Sequence, residues 1–84
     1  MSDDAIRELV LRLLGEIAPE ANLGEIKPDK RLRDQLDIDS MDALNFLIAV
    51  HEATGVDIPE SDYAKLTTID NIVSYLAART TARR

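Results

Sequence analysis

The sequence contains no cysteine and no tryptophan, and it has only three glycines, three prolines, two tyrosines and one phenylalanine. The absence of cysteine excludes a disulfide framework, a thiolate metal site and a thiol nucleophile. Apolar stretches as long as the roughly 18 residues of a membrane-spanning helix are also missing. The N-terminus carries the acidic pair Asp3 and Asp4, whereas a secretory signal begins with positive charge. We therefore expect a cytoplasmic protein without a membrane span.

Basic residues are missing from the middle of the chain. Residues 34–64 hold eight acids and no Lys or Arg, whereas residues 1–33 hold seven acids and six bases, and residues 65–84 hold one acid and four bases. This acidic block repels phosphate backbones, so nucleic-acid binding is not expected. It should instead attract protein partners that have basic patches. A solvated surface that only aids solubility is the alternative interpretation of the same charges.

The hydrophobic spacing predicts three longer helices in a single domain of residues 1–84. The first covers residues 3–17, the second 40–54 and the last 68–79. Their predicted caps are, in turn, Ser2 or Asp3, then Asp39, then Thr67 or Thr68. Their apolar faces are Ile6, Leu9, Val10, Leu13, Leu14 and Ile17; Met41, Leu44, Phe46, Leu47, Ile48 and Val50; and Ile69, Ile72, Val73 and Leu76.

The connecting segments complete the predicted fold. Residues 18–38 contain two prolines and mixed charge, and they are predicted to form a long loop packed against the core. Residues 60–65 are predicted to form one short helical turn that buries Tyr63 or Leu66, and residues 80–84 a frayed tail. The expected fold is all-α, a small helical bundle of three longer helices plus one short helix with a long first loop. We expect the protein to be a monomer.

Ser40 would be the first residue of the second helix, directly after the Asp39 cap. Unpaired backbone N–H groups and the helix dipole at such a position favour a phosphate group. A catalytic role is not supported, because no base lies beside Ser40 and His51 lies about three turns along the same helix, at ~5.4 Å per turn. From position alone, an ordinary serine at a helix start is the simpler interpretation.

The residues around Ser40 resemble the phosphopantetheine attachment site of acyl carrier proteins. The similar stretch is residues 36–44, LDIDSMDAL, in which Asp39 and Ser40 precede an apolar residue and an amphipathic helix. Residues 55–59, GVDIP, are similar to the family's Gly-x-x-Ile-Pro turn, and residues 67–76, TTIDNIVSYL, are similar to its closing helix. Because the three stretches occur in order over nearly the whole domain, the sequence is identified as a member of that family.

The resemblance implies a carrier protein and not an enzyme. A phosphopantetheinyl transferase would move 4'-phosphopantetheine from coenzyme A onto the hydroxyl of Ser40, and the thiol of that arm would hold an acyl group as a thioester. The protein would present the group to acyl-loading and acyl-processing enzymes with basic patches, in fatty-acid, lipid or polyketide synthesis. The absence of cysteine is consistent with this role, because the cofactor supplies the thiol.

The resemblance also assigns roles to residues near Ser40. Asp39 would be the motif acid that caps the helix and helps the transferase to recognise the site. The residues assigned to partner recognition are Met41, Asp42, Asn45, Ile48 and Glu52. Those assigned to the core or to an acyl cavity are Leu44, Phe46, Leu47, Ile48 and Val50, and the choice between core and cavity stays open. No catalytic residue and no metal site is predicted.

Two other hypotheses stay open. A peptidyl or aminoacyl carrier would share the serine and the fold, and the substrate that is loaded would distinguish it. A small helical interaction domain without a cofactor would leave Ser40 unmodified in cells that contain an active transferase. A freestanding enzyme is not supported, because the sequence has no metal cluster, no Gly-rich phosphate loop and no acid–base pair with supporting geometry.

The second helix carries fewer acids than is typical of the family, which predicts a specialised carrier. Asn45, His51 and Ala53 stand where acids are common, and Thr54 replaces an apolar residue before the glycine. We expect weak pairing with general fatty-acid enzymes, because the recognition helix has less negative charge. Acylation rates with a housekeeping fatty-acid synthase set, measured beside the housekeeping carrier, test this. Full exchange of the two carriers would contradict it.

Overall fold

Four α-helices and two short 3-10 turns make up the regular structure of the described chain. The computed structural model describes residues 2–82, and no strand occurs among them. The α-helices are α1 (Asp3–Ile17), α2 (Leu32–Gln35), α3 (Ser40–Thr54) and α4 (Ile69–Ala82). The 3-10 turns are Leu23–Glu25 and Glu60–Lys65, of which the second is the 60–65 turn. The predicted all-α fold with three longer helices is confirmed.

Side-chain oxygens fix the N-termini of α1 and α4. Ser2 Oγ accepts a hydrogen bond from the backbone N–H of Ala5 at 3.2 Å, so Ser2 is the cap among the two candidates. Thr68 Oγ1 accepts one from the backbone N–H of Asn71 at 3.0 Å. Helix α4 therefore begins at Ile69, one residue later than predicted.

The buried core confirms the predicted apolar faces of the first and last helices. Its buried side chains are Ile6, Val10, Leu13 and Leu14 of α1, Phe46, Leu47 and Val50 of α3, Ile69, Ile72, Val73 and Leu76 of α4, and Leu32, Val56 and Leu66 from other segments. Helix α1 packs against both α3 and α4. Burial of such side chains, at about 1.5–3 kcal/mol each, is the main favourable term in the stability of the bundle. An exposed ion pair between Arg7 and Asp70, 3.1 Å apart, links α1 to α4 and contributes little.

The first loop, residues 18–39, is more structured than predicted. It contains the 3-10 turn Leu23–Glu25 and helix α2, which the sequence pattern assigned to a loop. A helix of four residues is little more than one turn, so it shows no periodicity from which to predict it. The predicted packing of this loop against the core is confirmed, because Leu32 is only 5% exposed.

The amide side chain of Gln35 organises the backbone of the first loop. Its Oε1 accepts a hydrogen bond from the N–H of Lys27 at 2.7 Å, and its Nε2 donates to the carbonyl oxygens of Lys27 and Lys30 at 2.9 and 3.1 Å. The backbone N–H of Leu32 donates to the carbonyl of Thr67 at 2.9 Å. The bonds of Gln35 satisfy backbone N–H and carbonyl groups of the loop that would otherwise lack a partner in regular secondary structure. The bond from Leu32 to Thr67 attaches the loop to the segment before α4.

Helix α4 extends farther than predicted. The sequence predicts its end at residue 79 and a frayed tail from 80, whereas α4 continues to Ala82. No glycine or proline follows Leu76 to stop it, and Thr80 Oγ1 donates back to the carbonyl of Ala77 at 3.3 Å. Arg83 and Arg84, which complete the predicted tail, lie outside the described residues.

The predicted short turn at 60–65 is present, and a charged cluster joins it to α4. The Tyr75 hydroxyl donates to Asp62 Oδ2 at 2.5 Å, and the Arg79 guanidinium lies 3.6 Å from the same oxygen. Lys65 Nζ lies 3.4 Å from Asp62 Oδ1. The guanidinium also stacks on the Tyr75 ring, 3.4 Å from its centroid. We refer to Asp62, Lys65, Tyr75 and Arg79 as the Asp62 cluster.

The cluster shifts the pKa values of two of its members in opposite directions. The hydrogen bond from Tyr75 lowers the pKa of Asp62 below 3.8; burial opposes this shift, and Lys65 and Arg79 reinforce it. Burial, together with the bond to Asp62, raises the pKa of Tyr75 above 10.0. Both shifts favour an ionised carboxylate that accepts from a protonated phenol.

Replacing Asp62 with Asn should destabilise the fold in a pH-dependent way. Because folding lowers the pKa of Asp62, its stabilising effect is complete above the unfolded-state pKa of about 4 and is lost as the pH falls through the folded-state pKa. The Tm difference between wild type and Asp62→Asn should be largest near neutral pH and shrink below about pH 4. Thermal unfolding by circular dichroism across this range measures it, with Glu60→Gln on the same turn as the control. A difference that does not depend on pH would contradict the prediction.

Candidate functional site

A reciprocal cap fixes the first turn of α3. Asp39 Oδ1 accepts a hydrogen bond from the backbone N–H of Asp42 at 2.9 Å, and Asp42 Oδ2 accepts one from the backbone N–H of Asp39 at 3.3 Å. Both carboxylates also lie at the positive end of the helix dipole. The predicted cap at Asp39 is confirmed, and α3 begins at Ser40 as expected.

Ser40 is exposed on this first turn. Within residues 2–82, its hydroxyl has no hydrogen-bond partner. The histidine on the same helix is engaged elsewhere, because His51 Nδ1 lies 2.8 Å from the carbonyl oxygen of Val56 and 3.8 Å from Asp57 Oδ1. The hydroxyl of Ser40 is therefore accessible to a modifying group and lacks the adjacent base that an activated nucleophile needs.

A pocket of about 320 Å³ opens beside Ser40. Its lining comes from α3 (Ser40, Ala43, Leu44, Phe46, Leu47), the first loop (Arg31, Leu32, Arg33, Ile38), the 60–65 turn and the two residues that follow it (Tyr63, Ala64, Leu66, Thr67), and α1 (Leu14). Ser40, Arg31 and Arg33 are exposed, whereas Leu14 and Phe46 are buried. The polar residues therefore mark the mouth of the pocket, and the apolar residues form its interior.

The structure separates the α3 residues that were predicted to line either the core or a cavity. Leu44, Phe46 and Leu47 line the pocket, and Val50 is fully buried in the core. Ile48 is 44% exposed, so its assignment to the core or cavity is wrong. Met41, which was included in the apolar face, is 62% exposed. Helix α3 has more apolar residues than its inward positions can hold, and these two side chains project into solvent.

Four of the residues predicted to contact partners form one exposed stripe along α3. Met41, Asn45, Ile48 and Glu52 are spaced i, i+4, i+7 and i+11, and all are exposed. We refer to them as the outer stripe. Asp42, the fifth predicted contact residue, is partly buried and holds the helix cap.

The acidic block lies mostly on the surface of the protein. Its exposed members are Asp34, Asp37, Asp39, Glu52, Asp57 and Glu60, and the partly buried members are Asp42 and Asp62. Among the described residues, no group of three or more His, Cys, Asp or Glu residues is arranged to hold a metal ion. No helix in the described part of the chain is long and apolar enough to cross a membrane.

Sequence reasoning missed the part of the pocket that lies outside α3. Leu32 and Arg33 belong to a helix too short to predict, and Tyr63 and Ala64 come from a turn about twenty residues beyond Ser40. The only indication in the sequence was the presence of apolar residues such as Ile38 in an otherwise polar loop. Nothing in the spacing indicated that these segments meet beside Ser40.

The chain is similar to known carrier domains in sequence and in fold. Residues 4–76 match the family described as "Phosphopantetheine attachment site". The acyl carrier protein of Rubrobacter xylanophilus is 30% identical over 79 residues, which cover 90% of this chain and 98% of that protein. The acyl carrier protein of Campylobacter hominis is 32% identical over 73 residues, which cover 87% and 86%.

A solved structure adds to the likeness in fold. The acyl carrier protein from Enterococcus faecalis superposes with a TM-score of 0.79 over 94% of this chain and 99% of that one, at 18% identity. At this low identity, the superposition supports the arrangement of helices alone.

Replacing Asp39 with Ala should lower the free energy of unfolding by about 1 kcal/mol, because α3 loses its N-cap. Urea unfolding followed by circular dichroism measures the change. The matched control is Asp37→Ala, which removes an exposed carboxylate two residues away that has no part in the cap. Equal stability of the two variants would contradict the importance of the cap.

Proposed function

We propose a specific carrier role for this chain, which belongs to the acyl carrier protein family and matches its phosphopantetheine attachment domain over residues 4–76. Proteins of this family are carriers and not catalysts, and their cofactor is phosphopantetheine. We assign the attachment point to the hydroxyl of Ser40. The acyl group carried there is presented to enzymes of fatty-acid, lipid or polyketide synthesis.

The observation that carries this proposal is the setting of Ser40 at the mouth of an apolar pocket. Its hydroxyl is exposed and unbonded within the described chain, and the cap formed by Asp39 and Asp42 gives it a defined position. The N–H groups and the dipole at the start of α3 favour the negative phosphodiester. When bound, the cofactor supplies the thiol that holds an acyl group as a thioester.

The pocket favours an acyl cargo over a peptidyl or aminoacyl cargo. Its interior is lined by aliphatic and aromatic side chains, and the described core contains no buried polar or charged residue. An aliphatic chain gains about 0.8 kcal/mol for each methylene group that it buries, whereas a charged amine would be costly there.

We propose that partner enzymes contact the outer stripe and the exposed acids of the acidic block. Met41 and Ile48 offer exposed apolar area, which interfaces bury at their centre. Glu52 and the other exposed acids attract the basic patches of partner enzymes and speed their encounter. We also propose that the protein acts as a monomer in the cytoplasm, together with its transferase.

Intact mass spectrometry tests the attachment site. The purified protein is incubated with coenzyme A and a broad-specificity phosphopantetheinyl transferase, and Ser40→Ala and Ser74→Ala are treated in parallel. We expect one added phosphopantetheine in wild type and in Ser74→Ala, which lacks a different exposed serine on α4, and none in Ser40→Ala.

Each outcome of this experiment favours a different function. Addition that requires the Ser40 hydroxyl supports the carrier role. A folded wild-type protein that accepts no arm would contradict it and favour an interaction domain without a cofactor. Addition of the arm followed by efficient loading with amino acids, and not with acyl groups, would favour the peptidyl or aminoacyl carrier.

A further inference from the structure

One side of the pocket is formed by a short 3-10 segment. Tyr63 and Ala64 of the 60–65 turn line the pocket together with residues contributed by α1 and α3. The turn is a 3-10 element of six residues, and such elements have poorer hydrogen-bond geometry than an α-helix. In contrast, Leu14 and Phe46 belong to long helices that pack in the core. The 60–65 turn is therefore a wall that moves at a lower cost than the walls formed by α1 and α3.

A single carboxylate supplies the polar contacts that hold this wall. In the part of the chain that the structure describes, Asp62 makes the only polar side-chain contacts between the 60–65 turn and another element, and both reach α4. Its side chain is 15% exposed, so water screens these contacts less than it screens a surface pair. The next residue, Tyr63, lines the pocket. The residue that contacts α4, Asp62, and the residue that lines the pocket, Tyr63, are thus adjacent in the sequence.

We propose that the Asp62 cluster sets the length of acyl chain that the pocket encloses, by holding the 60–65 turn against α4. This inference rests on the proposed function, in which an acyl group carried at Ser40 enters the pocket. A chain longer than the pocket must displace the turn, and the displacement breaks a charge-assisted hydrogen bond and an ion pair together. Shorter chains fit without that cost. Asp62, Tyr75 and Arg79 are then positioning residues that do not touch the cargo.

The geometry of the cluster allows graded loosening. The Tyr75 hydroxyl and the side chains of Arg79 and Lys65 converge on the Asp62 carboxylate, so Asp62→Ala removes all three contacts. Tyr75→Phe removes one hydrogen bond and keeps the ring on which Arg79 stacks. Glu60→Ala removes an exposed carboxylate from the same turn and leaves the cluster intact.

The experiment measures how acyl-chain length affects stability. Wild type and the three variants are loaded with hexanoyl, octanoyl, decanoyl, dodecanoyl and hexadecanoyl phosphopantetheine, by a broad-specificity transferase acting on the matching acyl-coenzyme A. Intact mass verifies each product. The quantity compared is the rise in Tm over the same variant carrying the arm without an acyl group. In wild type, we expect this rise to increase with chain length and then to level off where the pocket is full.

The chain length at which the rise levels off distinguishes a positioning role from a merely structural one. We expect it to move to a longer chain in Asp62→Ala, to move less in Tyr75→Phe and to stay unchanged in Glu60→Ala. A merely structural role would lower the Tm of every form and leave the levelling point where it is. Levelling at the wild-type length in both cluster variants would overturn the proposal, as would an equal shift in Glu60→Ala.

Two further outcomes separate this inference from the function on which it rests. A wild-type protein that is loaded at Ser40 but gains no Tm from any chain length would overturn the length-setting role and leave the carrier role intact. A protein that accepts no acyl-phosphopantetheine, as judged by its mass, would overturn the carrier assignment itself before any lengths are compared.

Discussion

The reciprocal cap between Asp39 and Asp42 fixes the point at which an extended loop becomes helix α3, and the candidate site depends on it. The cap holds Ser40 at the junction between loop and helix, exposed and with a free hydroxyl. Burial of Leu47 and Val50 then sets the rotation of the helix about its axis. With start and rotation both fixed, one face of α3 meets the core, a second meets the pocket and a third carries the outer stripe. In the proposed function, these three faces of a 15-residue helix would serve stability, cargo binding and partner recognition.

Most of the fold could be predicted because three helices of 14 or 15 residues repeat their apolar positions often enough to identify a face. The short turn at 60–65 was predicted after the extended segment that ends at Pro59, and the structure has a 3-10 turn there, followed by the buried Leu66. Helix α2 could not be predicted, because its single buried leucine defines no period. The exposure of Ile48 was likewise not predictable, because spacing shows which residues share a face and not how many of them the neighbouring helices cover.

The candidate site was only half predictable for a related reason. Ser40 and Asp39 are adjacent in sequence, so a local pattern was enough to single them out. The pocket joins residues from four separate segments, and the bond between Tyr75 and Asp62 spans 13 residues. Contacts of this kind depend on how the helices cross, and crossing is decided by packing and not by any repeat in the sequence.

The positions of the two tyrosines determine what the intrinsic fluorescence of the protein reports. The chain lacks tryptophan, so its near-ultraviolet signal comes from Tyr63, Tyr75 and a single phenylalanine. Tyr63 belongs to the 60–65 turn and lines the pocket, and Tyr75 of α4 donates a hydrogen bond to Asp62 of the same turn, so one chromophore lies on this wall and the other contacts it. The intrinsic fluorescence of this protein is therefore a local reporter of that wall and not an average over the molecule, and it is available without any label.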